Sequence, residues 1–292
     1  MDQAEKLRNV IKMKKRDQAM TARVITVTSG KGGVGKSNVA VNLAVQMTKL
    51  GKKVIIFDAD FGLANVEVMF GAVPKYTLGD LIYHGKNIRE IITDGPMGIG
   101  FVSGGAGIMG LNNLAKEQLL YFIESLRELD ELADVILVDT GAGISDNVLE
   151  FVIASPEVIV VTTPEPSSLT DSYSLLKTLY RNPNFHREET NVRVLSNRVT
   201  SLEEGRNVYD KLNSVVTQFL DGKTDYLGMI PKDAMLEKAV RLQNPVSIHA
   251  PEAKSSKAFE VIAVNLLKNE HNIPKIRPGI AQVFSDLLNR RQ

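Results

Sequence analysis

The 292-residue sequence contains no cysteine. Disulfide bonds, thiolate metal sites, cysteine nucleophiles and iron–sulfur clusters held by cysteine are therefore excluded. The sequence also lacks any apolar run approaching the roughly 20 residues needed to span a bilayer, and its charged N-terminus lacks the apolar core of a signal peptide. From these absences we expect a cytoplasmic protein without a transmembrane segment.

The sequence has almost no net charge, at +1, but its charges are unevenly distributed. Residues 1–23 carry seven Lys or Arg and three acids, so a basic arm over residues 1–22 precedes a mildly acidic body over residues 23–273. Basic arms are typical of contacts with anionic partners such as membranes or nucleic acids. A merely solvated tail is the open alternative.

Glycine is concentrated in one stretch, Gly30 to Ser37, which reads GKGGVGKS. It follows a predicted strand, Val24–Thr28, and precedes a helical pattern, as the phosphate-binding template G-x-x-x-x-G-K-[ST] requires. Glycine lets the backbone curl so that its N–H groups face phosphate oxygens. Lys36 would reach the β- and γ-phosphates and Ser37 would bind Mg²⁺. The predicted phosphate-binding residues are Gly30, Lys31, Gly32, Gly33, Val34, Gly35, Lys36, Ser37 and Asn38.

Aspartates end two further apolar segments. Asp58 and Asp60 follow the run at residues 53–57, and Asp139 ends the run Val135–Asp139. Carboxyl ends of parallel strands form the ligand-binding edge of open α/β sheets. In a P-loop protein the acid at Asp139 holds Mg²⁺, usually through water, and the glycines that follow would form a switch. The open alternative is that Asp58 and Asp60 are acidic residues of an ordinary turn.

The order of elements predicts the fold class. Strands are predicted at Val158–Val161, Val192–Ser196 and Tyr226–Ile230, separated by helical patterns, and residues 88–93 fit either a helix or a strand. Strands that alternate with helices through short loops give a doubly wound, mostly parallel sheet flanked by helices. We therefore predict an α/β P-loop NTPase domain, with no linker that divides the body.

The second lysine of the loop, Lys31, gives the motif a distinctive form. GKGGVGKS resembles the deviant Walker A motif of the MinD/ParA family, the SIMIBI class of P-loop ATPases. The resemblance implies an ATP-bound homodimer in which Lys31 reaches the nucleotide of the other subunit, although a role in its own site stays open. The lack of cysteine excludes the iron–sulfur relatives, such as nitrogenase iron protein.

The same resemblance assigns roles around the phosphates. Asp-x-Asp-x-Gly-Leu-x-Asn, from Asp58 to Asn65, is similar to the family's switch I, which implies that Asp60 orients or activates the attacking water and Asp58 supports the Mg²⁺ shell. The implied catalytic residues are Lys31, Lys36, Asp60 and Asp139, and the implied metal residues are Ser37, Asp58 and Asp139, the acids through water.

The base-binding region favours adenine over guanine. Asn197-Arg198-Val199-Thr200 has threonine where a GTPase would have the aspartate that binds guanine. The family resemblance assigns the base to Asn197, Arg198, Pro231, Lys232 and Asp233. ATP and Mg²⁺ are therefore the implied ligands.

The C-terminal segment, residues 274–292, contains an amphipathic helical pattern. A single apolar stripe is formed by Ile280, Val283, Phe284, Leu287 and Leu288, with basic residues on both flanks. Such a helix suits an anionic membrane interface. The alternative is a helix packed on the protein's own core, and both states can alternate if ATP-driven dimerisation releases the helix.

The N-terminal arm resembles that of the FlhG group within the family, also called YlxH or FleN, which regulates flagellar number and placement. The resemblance rests on Asp2, Gln3, Ala4, Leu7 and Arg8. It implies that the arm stimulates FlhF, a signal-recognition-particle-type GTPase, and that FliM and FliN/FliY of the flagellar C-ring are further partners. The implied location is the inner face of the plasma membrane, with a cell pole as one open position.

Other functions fit parts of the pattern. A MinD-like regulator of the division site would share the chemistry but have another partner. A ParA-like DNA-partitioning ATPase is disfavoured by the near-neutral body and the apolar stripe, so we do not expect nucleic acid as a partner. A metabolic P-loop enzyme would need an acceptor pocket that the sequence does not indicate, and a pure binding module would not need the hydrolytic aspartates.

Overall fold

A computed structural model describes residues 21–60, 65–105, 116–268 and 279–289. The predicted partner-binding residues of the arm, Asp2 to Arg8, lie outside this part of the chain, as do residues 61–64 of the predicted switch I.

The described residues form one sheet of eight strands. The strands are β1 Arg23–Thr28, β2 Val54–Ala59, β3 Thr93–Asp94, β4 Gly100–Ser103, β5 Val135–Thr140, β6 Glu157–Thr162, β7 Asn191–Val199 and β8 Asp225–Pro231. Their order is β3-β4-β2-β5-β1-β6-β7-β8. Only β3 and β4 pair antiparallel among them. The predicted mostly parallel sheet is confirmed.

Helices connect the strands in the described ranges. They are α1 Lys36–Lys49, α2 Asn65–Phe70, α3 Leu78–Tyr83, α4 Ile88–Ile91, α5 Lys116–Leu132, α6 Asp146–Ala154, α7 Pro166–Arg181, α8 Leu202–Leu220, α9 Ala234–Arg241, α10 Val246–His249, α11 Lys254–Lys268 and α12 Ile280–Asn289. The ambiguous stretch at residues 88–93 contains both a helix and the start of a strand, because α4 ends just before β3. Residues 234–268, for which no element was predicted from the sequence, form α9 to α11.

The central strands are buried on both faces. Every residue of β1, β2, β5 and β6 is buried, as expected for parallel strands covered by helices on each side. Successive residues of β1 enter opposite cores: Ile25 packs with α1 and α11, whereas Val24 packs with α5, α6 and α12. This arrangement places the carboxyl ends of β1, β2 and β5 side by side at one edge.

The C-terminal helix α12 is docked on the body in this structure. Ile280, Val283, Phe284 and Leu287 are fully buried. The Phe284 ring makes edge-to-face contacts with Phe57, Phe122 and Phe151 at centroid distances of 5.1, 5.1 and 5.0 Å. The packed alternative of the sequence analysis therefore describes this conformation. The Leu288 side chain lies outside the described residues. Across the described part of the chain, no helix is long and apolar enough to cross a membrane.

Candidate functional site

The glycine-rich loop connects β1 to α1 as predicted. Gly33 and Gly35 have φ angles of 76° and 100°, a region that glycine enters without a steric penalty. Among the described residues, no side chain caps α1 at Gly35, and the first turn of α1 carries no acid. The N–H groups of this turn are therefore available to an anion at the positive end of the helix dipole.

Two neighbouring elements, α7 and β7, contact the loop. A Cβ at Gly30 would lie 2.2 Å from the carbonyl carbon and oxygen of Asp171 in α7, so α7 packs directly on the loop backbone. Asn197 Nδ2 donates to the Val34 carbonyl at 2.7 Å. The predicted base residue Asn197 thus ties the end of β7 to the phosphate loop in this structure.

Lys36 and Asp139 lie close to each other in the buried part of the site. Burial lowers the pKa of Lys36, and the charges of Asp139 and Asp60 act against that shift. Asp139 is completely buried at the end of β5, and burial raises its pKa to about 6, although Ser37 and Lys36 counteract this. The sequence-predicted residues Lys36, Ser37 and Asp139 therefore come together.

Asp58 lies beside Asp139 on the neighbouring strand β2. It is the register neighbour of Asp139 across β2 and β5 and is 2% exposed. Burial and the nearby Asp139 raise its pKa to about 8, and N–H donors from Asp60 and Val66 only partly offset this. A carboxyl in this environment supports its neighbours by hydrogen bonding more readily than it carries a free charge.

The donor set fits a magnesium ion that is also bound by phosphate oxygens. Both carboxylate oxygens of Asp139 are buried and have no hydrogen-bond partner within the described chain. Lys36 supplies one nearby positive charge, and a second cation would further stabilise a buried carboxylate that lacks hydrogen bonds. The described residues contain no cluster of three or more acidic or histidine side chains able to hold a metal unaided. Mg²⁺ is usually bound by one or two protein oxygens together with waters and nucleotide phosphates. Ser37 and Asp139 fit that arrangement.

Asp60 contacts described residues of both predicted switch segments. Its Oδ2 accepts a hydrogen bond from Asn65 Nδ2 at 3.1 Å. Its Oδ1 would lie 3.6 Å from a Cβ at Gly141, which follows β5. The next turn is tethered to the phosphate loop because the Gly143 N–H donates to the Ser29 carbonyl at 2.9 Å. The predicted switch residues therefore converge beside the loop.

Lys31 points away from the centre of its own loop. Its Nζ donates to Ser167 Oγ at 2.7 Å and to Glu165 Oε2 at 3.3 Å, at the start of α7. The ion pair is solvent-exposed at both ends, so it is weak and readily exchanged. Sequence reasoning missed Ser167 and Glu165. The acid before Pro166 at a helix start was the available signal.

The remaining predicted base residues lie at the ends of β7 and β8. Arg198 is exposed and has a φ of 59°, a strained conformation for a side-chain-bearing residue. The Lys232 N–H donates to the Val199 carbonyl at 2.8 Å, and Pro231 pairs with Val199 in the sheet.

The Asp233 side chain makes hydrogen bonds within the protein. Its carboxylate caps α9 through the Met235 N–H at 2.9 Å and accepts from the Ser255 N–H at 3.0 Å and the Ser255 hydroxyl at 2.8 Å. Burial by itself would raise its pKa, but these donors hold the pKa below the ordinary value. The Asp233 carboxylate is therefore already occupied by hydrogen bonds within the protein.

The sequence is similar to a known family and to proteins of known name. A sequence model of the ParA family, described as NUBPL iron-transfer P-loop NTPase, matches residues 20–267. The antiactivator FleN of Pseudomonas aeruginosa is 42% identical over 251 residues, which cover 86% of this chain and 88% of that protein. The flagellum site-determining protein YlxH of Helicobacter pylori is 32% identical, with 98% of each chain covered.

A solved structure extends the comparison to the fold. The septum site-determining protein MinD of Pyrococcus horikoshii, solved in complex with Mg-ADP, superposes with a TM-score of 0.66 at 24% identity. The match covers 85% of this chain and 97% of that chain. The described fold is therefore MinD-like.

Proposed function

This chain belongs to the MinD/ParA family of P-loop ATPases, and from that premise we propose that it is an ATP-dependent dimerising switch of the FlhG kind. In this proposal it hydrolyses ATP, controls flagellar number and placement, and acts through a membrane and a partner GTPase. Support comes from the similarity to FleN and to the flagellum site-determining protein YlxH over most of the chain. The arm motif at Asp2, Gln3, Ala4, Leu7 and Arg8 points the same way.

The observation that carries the switch function is the position of Lys31. Lys36 occupies the buried centre of the loop, whereas Lys31 is held only by an exposed contact with Ser167 and Glu165. A lysine that can leave such a contact at little cost is suited to reach the nucleotide of a second subunit. Two copies would then enclose two nucleotides, each completed by the other's Lys31.

Catalysis in this proposal depends on positioning and charge. The N–H groups of the glycine-rich loop bind the phosphates, and Lys36 balances the charge that develops on the γ-phosphate. Asp60, oriented by Asn65, positions the attacking water. Ser37 and Asp139, the latter through water, would hold Mg²⁺, which when bound neutralises charge on the phosphate oxygens. The Asn197 and 231–233 regions would contact adenine.

The Asp60→Ala variant tests the hydrolytic switch. Without a group to position water, ATP should stay bound, and the protein should elute as a dimer on gel filtration with ATP and as a monomer with ADP. Asp94→Ala, which removes an exposed carboxylate from edge strand β3, is the matched control. Normal turnover and a monomer for Asp60→Ala in ATP would contradict the assigned role.

Membrane binding would use the helix that is docked here. Its apolar stripe, Ile280, Val283, Phe284, Leu287 and Leu288, would enter an anionic bilayer when dimerisation releases α12. Sedimentation with anionic vesicles should therefore be stronger with a non-hydrolysable ATP analogue than with ADP. Equal binding with both nucleotides would remove this part of the proposal.

The partner GTPase is tested with the arm itself. A peptide of residues 1–20 should accelerate GTP hydrolysis by FlhF, and a peptide with Gln3, Leu7 and Arg8 replaced by alanine should not. No acceleration by either peptide would favour a different partner, as expected of a MinD-like regulator of the division site. Contacts with FliM and FliN/FliY belong to the same proposal and are tested by pull-down with full-length protein.

A further inference from the structure

The first turn of α12 is capped by a residue of another helix. Asp130, near the end of α5, accepts from the Ile280 N–H at 2.7 Å and from the Ala281 N–H at 3.2 Å. Its side chain is 5% exposed, so these bonds lie within the protein interior. The residue therefore serves as the N-terminal cap that α12 does not supply from its own sequence.

Gly279 makes this cap possible. A Cβ at this position would lie 2.2 Å from Asp130 Oδ2 and 2.5 Å from Oδ1, so no larger residue fits while the carboxylate stays in place. Gly279 is itself buried. The contact therefore depends on both residues, because glycine at position 279 leaves the space that the carboxylate of Asp130 occupies.

This contact differs in kind from the rest of the docking surface. The other buried α12 side chains in the described range are apolar: Ile280, Ala281, Val283, Phe284 and Leu287. Apolar packing is non-directional, whereas hydrogen bonds require defined distances and angles. The pair at Asp130 therefore fixes the position of the helix along its groove.

Burial of the Asp130 carboxylate limits the net strength of this contact. Burial raises the pKa of Asp130 to about 6, although the Ile280 and Ala281 N–H groups oppose the shift. While α12 is docked the carboxylate is removed from water, and this loss of solvation offsets part of the gain from its two hydrogen bonds. The two hydrogen bonds therefore define the docked position of α12 but can be broken when the helix leaves.

We propose that Asp130 and Gly279 form a clasp that holds α12 docked, and that the clasp must open before the helix is released. Release onto a membrane rests on the proposed function, but the clasp itself does not. The centre of α12 is contacted by Phe151 of α6, which begins directly after the switch segment at residues 141–145. A movement of α6 would therefore press on Phe284 while the clasp anchors the helix start.

Hydrogen–deuterium exchange of the full-length protein in ADP tests the clasp without a membrane. Asp130→Ala leaves two buried N–H groups without an acceptor, so the α12 amides should exchange about five- to tenfold faster, as for loss of a helix cap. Gly279→Ala should have a similar effect because its Cβ displaces the carboxylate. Glu124→Ala, which removes an exposed carboxylate elsewhere on α5, should leave α12 unchanged. Unchanged amide exchange in β1 and β5 checks that each variant is folded.

A double-mutant cycle decides whether the two residues act through one contact. Once Asp130 is alanine, nothing remains for the Gly279→Ala side chain to displace, so the second substitution should add less than about twofold. Additive effects, or unchanged α12 exchange in Asp130→Ala, would overturn the clasp. If α12 exchange rises as expected, anionic vesicles with ADP then separate the two proposals. Binding by Asp130→Ala supports both, and no binding removes the membrane role while the clasp stands.

Discussion

At the residue scale, the two lysines of the phosphate loop have opposite surroundings. Lys36 is buried beside Asp139 and Asp60, where burial lowers its pKa and the two acids favour its charge. Lys31 is partly exposed and contacts Ser167 and Glu165. The same side chain five positions apart thus faces the interior in one case and a solvent-exposed contact with α7 in the other.

Lys31→Ala tests this division of roles. Because Lys31 lies outside the buried centre of the loop, we expect ATP to bind with an affinity close to that of the unaltered protein. Hydrolysis should fall on the order of a thousandfold, as when a cation supplied by a partner is lost. Steady-state ATPase assays and calorimetric titration of ATP separate the two effects.

The control for this variant is Lys238→Ala, which removes an exposed lysine of α9 and should leave both measurements unchanged. Loss of ATP affinity in Lys31→Ala, with turnover at saturating ATP preserved, would instead assign Lys31 to its own site.

Gly30→Ala tests the close approach of α7 to the loop. Its Cβ would overlap the Asp171 backbone at 2.2 Å, so either the loop or α7 must move. We expect the free energy of unfolding without nucleotide to fall by about 1 to 3 kcal/mol, the usual range for overpacking. Gly32→Ala is the matched control, because its nearest neighbour is 3.8 Å away. Equal urea midpoints for the two variants would show that α7 moves aside at little cost in the free energy of unfolding.

At the element scale, α12 behaves as part of the core. Phe284 contacts one aromatic residue each from β2, α5 and α6: Phe57, Phe122 and Phe151. The helix therefore joins three elements of one face of the sheet. Because β2 carries Asp58 and α6 follows residues 141–145, the docked helix contacts elements that also border the phosphate loop.

Phe284→Ala should loosen this face selectively. Removing a buried aromatic side chain with three ring neighbours should lower the free energy of unfolding by about 3 kcal/mol. Gln282→Ala, on the exposed side of the same helix, should change it by less than about 0.5 kcal/mol. Urea denaturation measures both values, and a loss for Phe284→Ala no larger than the control would mean that α12 is only loosely docked.

At the scale of the whole molecule, one buried ion network links distant parts of the chain. Glu157 of β6 accepts from Arg23 of β1 at 2.6 and 2.8 Å and from Arg193 of β7 at 2.6 Å. Arg23 also donates to the Leu266 carbonyl of α11 at 2.7 Å. The network lies at the amino ends of three central strands, opposite the nucleotide site, and holds α11 against them.

Glu157→Ala should be among the most destabilising single changes. It leaves two buried arginines without their carboxylate, which costs about 3 to 5 kcal/mol. The matched control is Glu252→Ala, whose exposed pair with Lys257 is worth less than about 1 kcal/mol. Chemical denaturation compares the two, and similar small losses would show that water reaches the arginines.

The same network predicts a pH dependence. Burial by itself would raise the pKa of Glu157, but hydrogen bonds and charges from Arg23 and Arg193 outweigh it, and the pKa lies below its ordinary value of 4.5. The stabilisation is therefore complete above pH 4.5 and is lost as the pH falls through the lowered pKa. Unfolding measured from pH 6 to pH 3 should show this loss, and Glu157→Gln should lack that component.

The sequence by itself determined the phosphate loop, the aspartates at the strand ends and the parallel α/β fold. Each of these is a local pattern: glycine spacing sets backbone freedom, and continuous apolar runs between helical repeats specify buried parallel strands. The MinD/ParA family followed from Lys31 within the same eight residues. The sequence also predicted the apolar stripe of α12, because helical periodicity is visible without the rest of the protein.

Only the tertiary structure decided which surfaces these patterns meet. An apolar stripe fits a membrane or a core equally well, and the choice of Phe57, Phe122 and Phe151 as its neighbours depends on how three separate elements are assembled. The cap from Asp130 to α12 and the tie from Asn197 to the loop join residues far apart in the chain. Local sequence specifies the chemistry of a face, but the packing of the whole chain selects its partner.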